Sequence, residues 1–199
     1  FYRLISQSNL NSSNLDKQQE LLNAALKLFV ENGFHGTATS KIAKEAGVAN
    51  GTLFHYYPTK DELIVALYVK IKTEMACFVD ANAGDSDFKT RFKNQFTHAL
   101  YWSRTHKAEF QYIQQFYASP YAAQLQSETL QQQMERTCME IQTAIDDQLI
   151  RDFPVDYIFS LVSGHLNGIS QYLNQAQLGE KREKEVIAET FELLWKMLS

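Results

Sequence analysis

Asn50, Thr52 and His55 fall within seven residues of one another, and their chemistry is hydrogen bonding rather than bond making. An Asn amide can meet adenine through two parallel hydrogen bonds, and a Thr can offer thymine a methyl or a phosphate a hydroxyl. Gly51 among them has no side chain, so a helix backbone there can approach a sugar-phosphate wall. Lys60 opens the next helix, where a cation opposes the helix dipole. A phosphate bound at that end accounts for the placement better than solvent does. Recognition of a nucleic-acid duplex is the chemistry implied. No Ser/His/acid set, carboxylate pair or phosphate-cradling Gly loop points to catalysis.

These side chains need rigid support, and residues 37–63, TATSKIAKEAGVANGTLFHYYPTKDEL, supply it. Thr39 is expected to cap a helix over 40–46, with Ile42, Ala43 and Ala46 as its apolar stripe. Gly47 ends that helix in left-handed geometry, and Val48 is the expected buried plug of a tight turn. A second helix follows over about 50–56, a geometry that fits a major groove. Leu53 and Tyr57 read as the core residues that hold it down. Asn50 has an alternative role as its own helix's cap, because Ala49 cannot cap. Upstream, Leu21, Leu22, Ala25, Leu28 and Phe29 form one face of a helix from residue 15 or 16 to 32, closed by Gly33 with Phe34 folding back. Downstream, Thr59 to Glu62 is a capping box that opens a helix to about Asp80. At roughly 30 Å such a helix can act as a lever between the two parts of the chain.

The segment from about 17 to 64 resembles the DNA-binding domain of the TetR family of bacterial transcriptional regulators. The resemblance is carried by Gly33-Phe34, Thr37, Thr39, Ile42-Ala43, Ala46-Gly47-Val48, Gly51-Thr52-Leu53-Phe54, Tyr56-Tyr57, Lys60 and Glu62-Leu63. It implies phosphate contacts at Thr39, Tyr56, Lys60 and His55, a palindromic DNA operator, a homodimer, and a repressor released by a small-molecule effector bound in the C-terminal part. Two departures stand out. Phe54 occupies a position where the family often has Tyr, and Ala49 one where Ser is frequent.

Composition agrees with two parts. Through residue 63 the chain has six Lys/Arg and six Asp/Glu, and the remainder has thirteen and seventeen. The net charge of −4 therefore lies outside the DNA-reading part. No segment is apolar enough to span a membrane and no secretory signal is evident, so a cytoplasmic location is expected. Cys77 and Cys138 are isolated and read as helix-packing thiols, and the scattered His residues make no ligand pair; neither metal nor cofactor is expected.

The expected fold class is all-α with about nine helices: a flexible arm over 1–14, a helix-turn-helix domain over 15–63, and a ligand-binding and dimerisation domain over 64–199. Beyond the lever, helices are expected at about 87–105, 107–118, 121–150, 155–176 and 181–198. Between Phe88 and Tyr121 ten of thirty-four residues are aromatic, against twenty-five in the whole chain of 199. That density suggests an apolar pocket drawn from Phe92, Phe96, Trp102, Phe110, Gln114, Phe116 and His165. Gly164 and Gly168 permit close helix approach, and with Tyr172, Phe191, Leu194 and Trp195 they give the last two helices more apolar width than one neighbour can cover. A two-chain bundle is the expected solution. The competing readings are an all-α ligand carrier and a constitutive DNA-binding protein without effector.

Overall fold

The computed structural model describes residues 2–84 and 87–199, with the backbone alone at 2–14, 83 and 124. Nine α-helices and one 3-10 turn make up the described chain, with no strand among the described residues. The helices are α1 (Tyr2–Gly36), α2 (Thr39–Glu45), α3 (Asn50–Tyr56), α4 (Lys60–Ala83), α5 (Phe88–Thr105), α6 (Lys107–Tyr117), α7 (Glu128–Asp146), α8 (Val155–Gln175) and α9 (Glu180–Leu198). The arm expected over 1–14 is helical in its backbone from Tyr2 onward. Neither Pro nor Gly interrupts the chain before Gly33, where φ +72° and ψ 169° break the helix.

Two compact units result. The first comprises Phe1–Ile71 and Ala108–Leu125, the second Lys72–Lys107 and Gln126–Ser199. The expected boundary at 63 falls inside α4, whose first half belongs to the first unit and second half to the other.

In the first unit, Phe34 folds back onto Phe29 with ring centroids 5.3 Å apart. The buried Thr37 hydroxyl lies 2.8 Å from the Gly33 carbonyl and 3.0 Å from the Leu28 carbonyl, and its one proton is shared between these acceptors at the end of α1. At the end of α2, Gly47 lies at φ +67°. Val48 N–H donates to Ala43 and Gly47 N–H to Lys44, the two bonds of a Schellman closure. Val48 itself is half-exposed, so the turn is held by its backbone rather than by a buried plug. Thr59 accepts from the Glu62 N–H at 3.1 Å, the first bond of a capping box, and its hydroxyl rather than its backbone N–H donates to the Glu62 carboxylate.

Helix α6 completes this unit. Tyr112 donates to the Ile64 carbonyl at 2.8 Å, and burial pushes its phenol pKa upward, so the hydroxyl stays a donor. Phe116 stacks on Tyr68 at 3.8 Å, and Phe34 meets Tyr112 and Tyr121 edge-on. In the second unit, Phe96, Leu100, Ile158, Leu173, Phe191 and Leu194 anchor a core between α5, α8 and α9. Arg104 pairs with Glu183 at 2.9 Å and donates to the Leu173 carbonyl at 2.7 Å, tying α5 to both other helices.

The single helix expected over 121–150 is two elements. A 3-10 turn covers Pro120–Gln124, and α7 starts only after Ser127, whose hydroxyl accepts from the Leu130 N–H. Pro at the start and a Ser cap later each fix a separate nucleus.

Two substitutions test this anatomy by chemical denaturation. A Cβ added at Gly47 meets no atom within 4 Å, so Gly47→Ala should cost only the left-handed backbone penalty of about 1–2 kcal/mol. Leu53 is fully buried, and Leu53→Ala should cost about 2–5 kcal/mol. Unchanged stability in either variant would contradict the arrangement.

Candidate nucleic-acid interface

Helix α3 divides cleanly by exposure. Leu53 is fully buried and Tyr57, at the C-cap, is nearly so, while Asn50, Gly51, Phe54 and His55 are exposed. At about 100° per residue those four form one continuous outer arc, with Thr52 and Tyr56 half-exposed on its flank. The buried side rests on α2, where Ile42 and Ala43 are also buried. Tyr57 adds a polar tie: its hydroxyl accepts from Gln18 of α1 at 3.1 Å, and burial raises its pKa. Outside this core, Lys27 of α1 pairs with Glu45 of α2 at 2.6 Å. Each part of the helix-turn-helix is thereby tied to α1.

Thr39 does not cap α2. It is the first helical residue, and Ala38 stands at the N-cap without a side-chain bond. The cap position needs extended backbone, which Ala38 adopts at φ −81° and ψ 141°. Asn50 is likewise the first residue of α3, after Ala49, and does not cap it. Both short helices thus begin without a side-chain acceptor for their first N–H groups. Lys60 opens α4 half-exposed, and the His55 and Tyr56 rings meet edge-on at 5.5 Å. Of the residues expected to meet DNA, Asn50, Gly51 and His55 share the outer arc, with Thr52 and Tyr56 beside it. Phe54, noted in the sequence as a departure from the family's Tyr, is 41% exposed on that arc. Its i+4 spacing from Asn50 was the available signal.

The seven residues expected to line a ligand pocket divide between the units. Phe110, Gln114 and Phe116 belong to the first; Phe92, Phe96, Trp102 and His165 belong to the second. Phe96, Trp102, Phe110 and Phe116 are buried; Phe96 belongs to the core of the second unit and Phe116 stacks on Tyr68 in the first, because aromatic rings at helical spacing fill cores as readily as they line cavities. His165 stacks on Phe96 and donates to the Thr190 carbonyl at 3.1 Å. An open groove of about 720 Å³ lies elsewhere in the second unit, between α7 and α8. Met134, Met139, Val155 and Phe159 supply its apolar wall, with Cys138, Gln142, Asp156 and Ser160 alongside. Cys138 is therefore a half-buried groove residue and Cys77 is exposed, so neither is the packing thiol expected.

The expected dimer face also divides. Gly164, Gly168 and Tyr172 are exposed on α8, and a Cβ on either Gly would meet nothing within 4 Å. Phe191 and Leu194 are fully enclosed by their own unit and cannot contribute an outer face; Trp195 is half-buried against Phe88 and Phe92. The exposed apolar residues of α9 are Leu193 and Met197 instead. Among the described residues no helix is long and apolar enough to cross a membrane, and no group of three or more His, Cys, Asp or Glu is placed to hold a metal.

The family model of bacterial regulatory proteins, tetR family, matches residues 21–67. The fatty acid metabolism regulator protein of Bacillus subtilis is 34% identical over 79 residues, 40% of this chain and 39% of that regulator. The alignment thus spans about two fifths of that relative. A protein from Shewanella sp. PV-4, crystallised as a tetR family transcription regulator, is 26% identical with a TM-score of 0.80, covering 92% of this chain and 97% of that one. FadR of Bacillus subtilis, crystallised with stearoyl-CoA, shares the fold at 19% identity and a TM-score of 0.72, over 88% of this chain and 96% of that one. These are transcription regulators rather than enzymes. With α2 and α3 arranged as a helix-turn-helix and the fold shared over nearly its whole length with a tetR family transcription regulator, residues 21–67 form a helix-turn-helix segment of the TetR type.

Proposed function

We propose that the protein is a homodimeric repressor that binds a two-fold symmetric DNA operator and is released from it by a small, largely apolar effector. The outer arc of α3 carries this reading. Asn50, Gly51, Phe54 and His55 stand clear of the core while Leu53 and Tyr57 hold the helix from below. In the groove Asn50 reads a base edge, and Thr39, His55, Tyr56 and Lys60 position the phosphates. The N-caps of α2 and α3, Ala38 and Ala49, offer no side-chain acceptor, so the first backbone N–H groups are left for the same phosphates.

Dimerisation through α8 and α9 is supported by the exposed Gly164, Gly168 and Tyr172 together with Leu193 and Met197. Apolar side chains on two neighbouring helices stabilise a chain only once a partner covers them. The groove between α7 and α8 supports the effector class, because its wall is mostly Met, Val and Phe. The same fold holds stearoyl-CoA in FadR of Bacillus subtilis, so it can accommodate a long apolar chain. A ligand shifts the protein only by its preference for the non-binding state. A coupling of about 1–3 kcal/mol lowers operator affinity roughly 5- to 150-fold. Helix α4 contributes to both units and, of the chain's crossings between them, is the helical one that carries equal parts of each, a covalent route for such a shift.

Selection from random-sequence duplexes tests the DNA reading. A symmetric site should be enriched, and its affinity should fall steeply with salt as counterions are released. Lys60→Ala should weaken all duplexes alike and lower the salt slope by about 1, whereas Asn50→Ala should relax preference at one base position per half-site by about 1–3 kcal/mol. Sequence preference that follows Lys60 rather than Asn50 would reverse the roles.

Gly168→Leu tests the dimer. Its new side chain enters open space in one chain, so the fold should survive while association weakens by about 1–3 kcal/mol. An unaltered dimer in sedimentation would remove this face from the interface.

A further inference from the structure

We propose that the groove between α7 and α8 takes a cationic amphiphile, an apolar chain ending in an ammonium group, a ligand class that rests on the effector reading above. Met134, Met139, Val155 and Phe159 form the apolar wall, and Asp156 is the one charged side chain among the residues that line the groove. Asp156 is exposed in the first turn of α8, where one carboxylate oxygen accepts from the Tyr157 N–H at 3.0 Å. Among the described residues no Lys, Arg or His pairs with it. The surroundings carry the same sign. From residue 126 to 175 the chain has seven Asp/Glu against two Lys/Arg, hence −5, where the whole chain has −4. Both of those cations are already engaged: Arg136 pairs with Asp80 at 2.7 Å, and Arg151 donates to the main-chain oxygen of Ser199 at 3.0 Å.

The wall selects the body of the ligand and the charge selects its head. An alkyl chain laid against Met and Phe leaves water, which is favourable for any head group. An ammonium beside Asp156 adds Coulomb attraction, and the Phe159 ring in the same wall favours a cation over its face. A carboxylate or phosphate head would instead stand beside a like charge with no basic side chain to receive it. A neutral alcohol gains the apolar contact alone. A carboxylate in a first turn also complements the helix dipole. That role by itself predicts lower stability when Asp156 is neutralised, and no preference among head groups.

The test titrates the full chain, carrying isotope-labelled Met methyl groups, with decylammonium, decanol and decanoate below their micellar concentrations. The chain has four Met residues, of which Met134 and Met139 line the groove and Met75 and Met197 do not. Saturable methyl shifts should be largest at Met134 and Met139. Decylammonium should bind about fivefold more tightly than decanol, the upper end for an exposed ion pair, and decanoate more weakly than either. Added salt should shrink the preference. Asp156→Asn should bring decylammonium to within about twofold of decanol, and Asp156→Glu should keep the preference, with thermal melting of both variants to separate head-group recognition from loss of fold. Decanoate binding as tightly as decylammonium, decylammonium shifts confined to Met75 and Met197, no saturable shift at all, or an undiminished preference in Asp156→Asn would overturn the assignment. Groove binding of decylammonium that leaves operator affinity unchanged would uphold the site and overturn the effector reading instead.

Discussion

A helix of seven residues cannot hold itself in water, because nucleation costs more than so few hydrogen bonds return. Everything that α3 presents therefore depends on Leu53, which is fully buried, and on Tyr57 at its end, with Ile42 and Ala43 buried in α2 beneath it. The Schellman turn at Gly47 fixes where α3 begins, and the capping box at Thr59 fixes where α4 takes over. Between these two closures the backbone has little freedom, and Asn50, Gly51, Phe54 and His55 are left facing outward. Rigidity beneath and polarity above are what a groove-reading helix requires.

That rigidity is reinforced from a distant part of the sequence. Helix α6 brings Tyr112 and Phe116 against α4, and Tyr112 closes a hydrogen bond onto the Ile64 carbonyl. The second unit is organised differently. Its α5, α8 and α9 share an apolar core and the Arg104–Glu183 pair, while α8 keeps an exposed Gly-containing face and a groove against α7. A core that fixes the helices and surfaces left uncovered is the division expected of an element built to meet a ligand and a partner.

Local chemistry was the legible part of the sequence. Gly33, Gly47 and Thr59 act at the positions where the residues alone predicted a stop, a turn and a cap, because those effects are decided within one helical turn. Exposure at Asn50 and burial at Leu53 followed from periodicity. What required the fold was the destination of each apolar face. Phe110 and Phe116 read as pocket residues by density, yet they pack in the first unit; Phe191 and Leu194 read as interface, yet they are core. Periodicity identifies a buried face without naming its neighbour. The break before Ser127 was hidden because 121–126, YAAQLQ, contains neither Gly nor Pro, and Thr39 lost the cap to Ala38 because backbone geometry there outweighed side-chain preference. Phe54 stood out in the sequence only as a departure from Tyr, and its exposure shows the apolar surface it offers.

The central claim is that the outer arc of α3 is the surface that meets DNA. An NMR titration of isotope-labelled full-length chain with its selected duplex tests it most directly. Amide shifts should concentrate in residues 50–56, at the starts of α2 and α4, and remain small along the groove between α7 and α8. Saturable binding with α3 unperturbed, or with shifts concentrated in that groove, would contradict it.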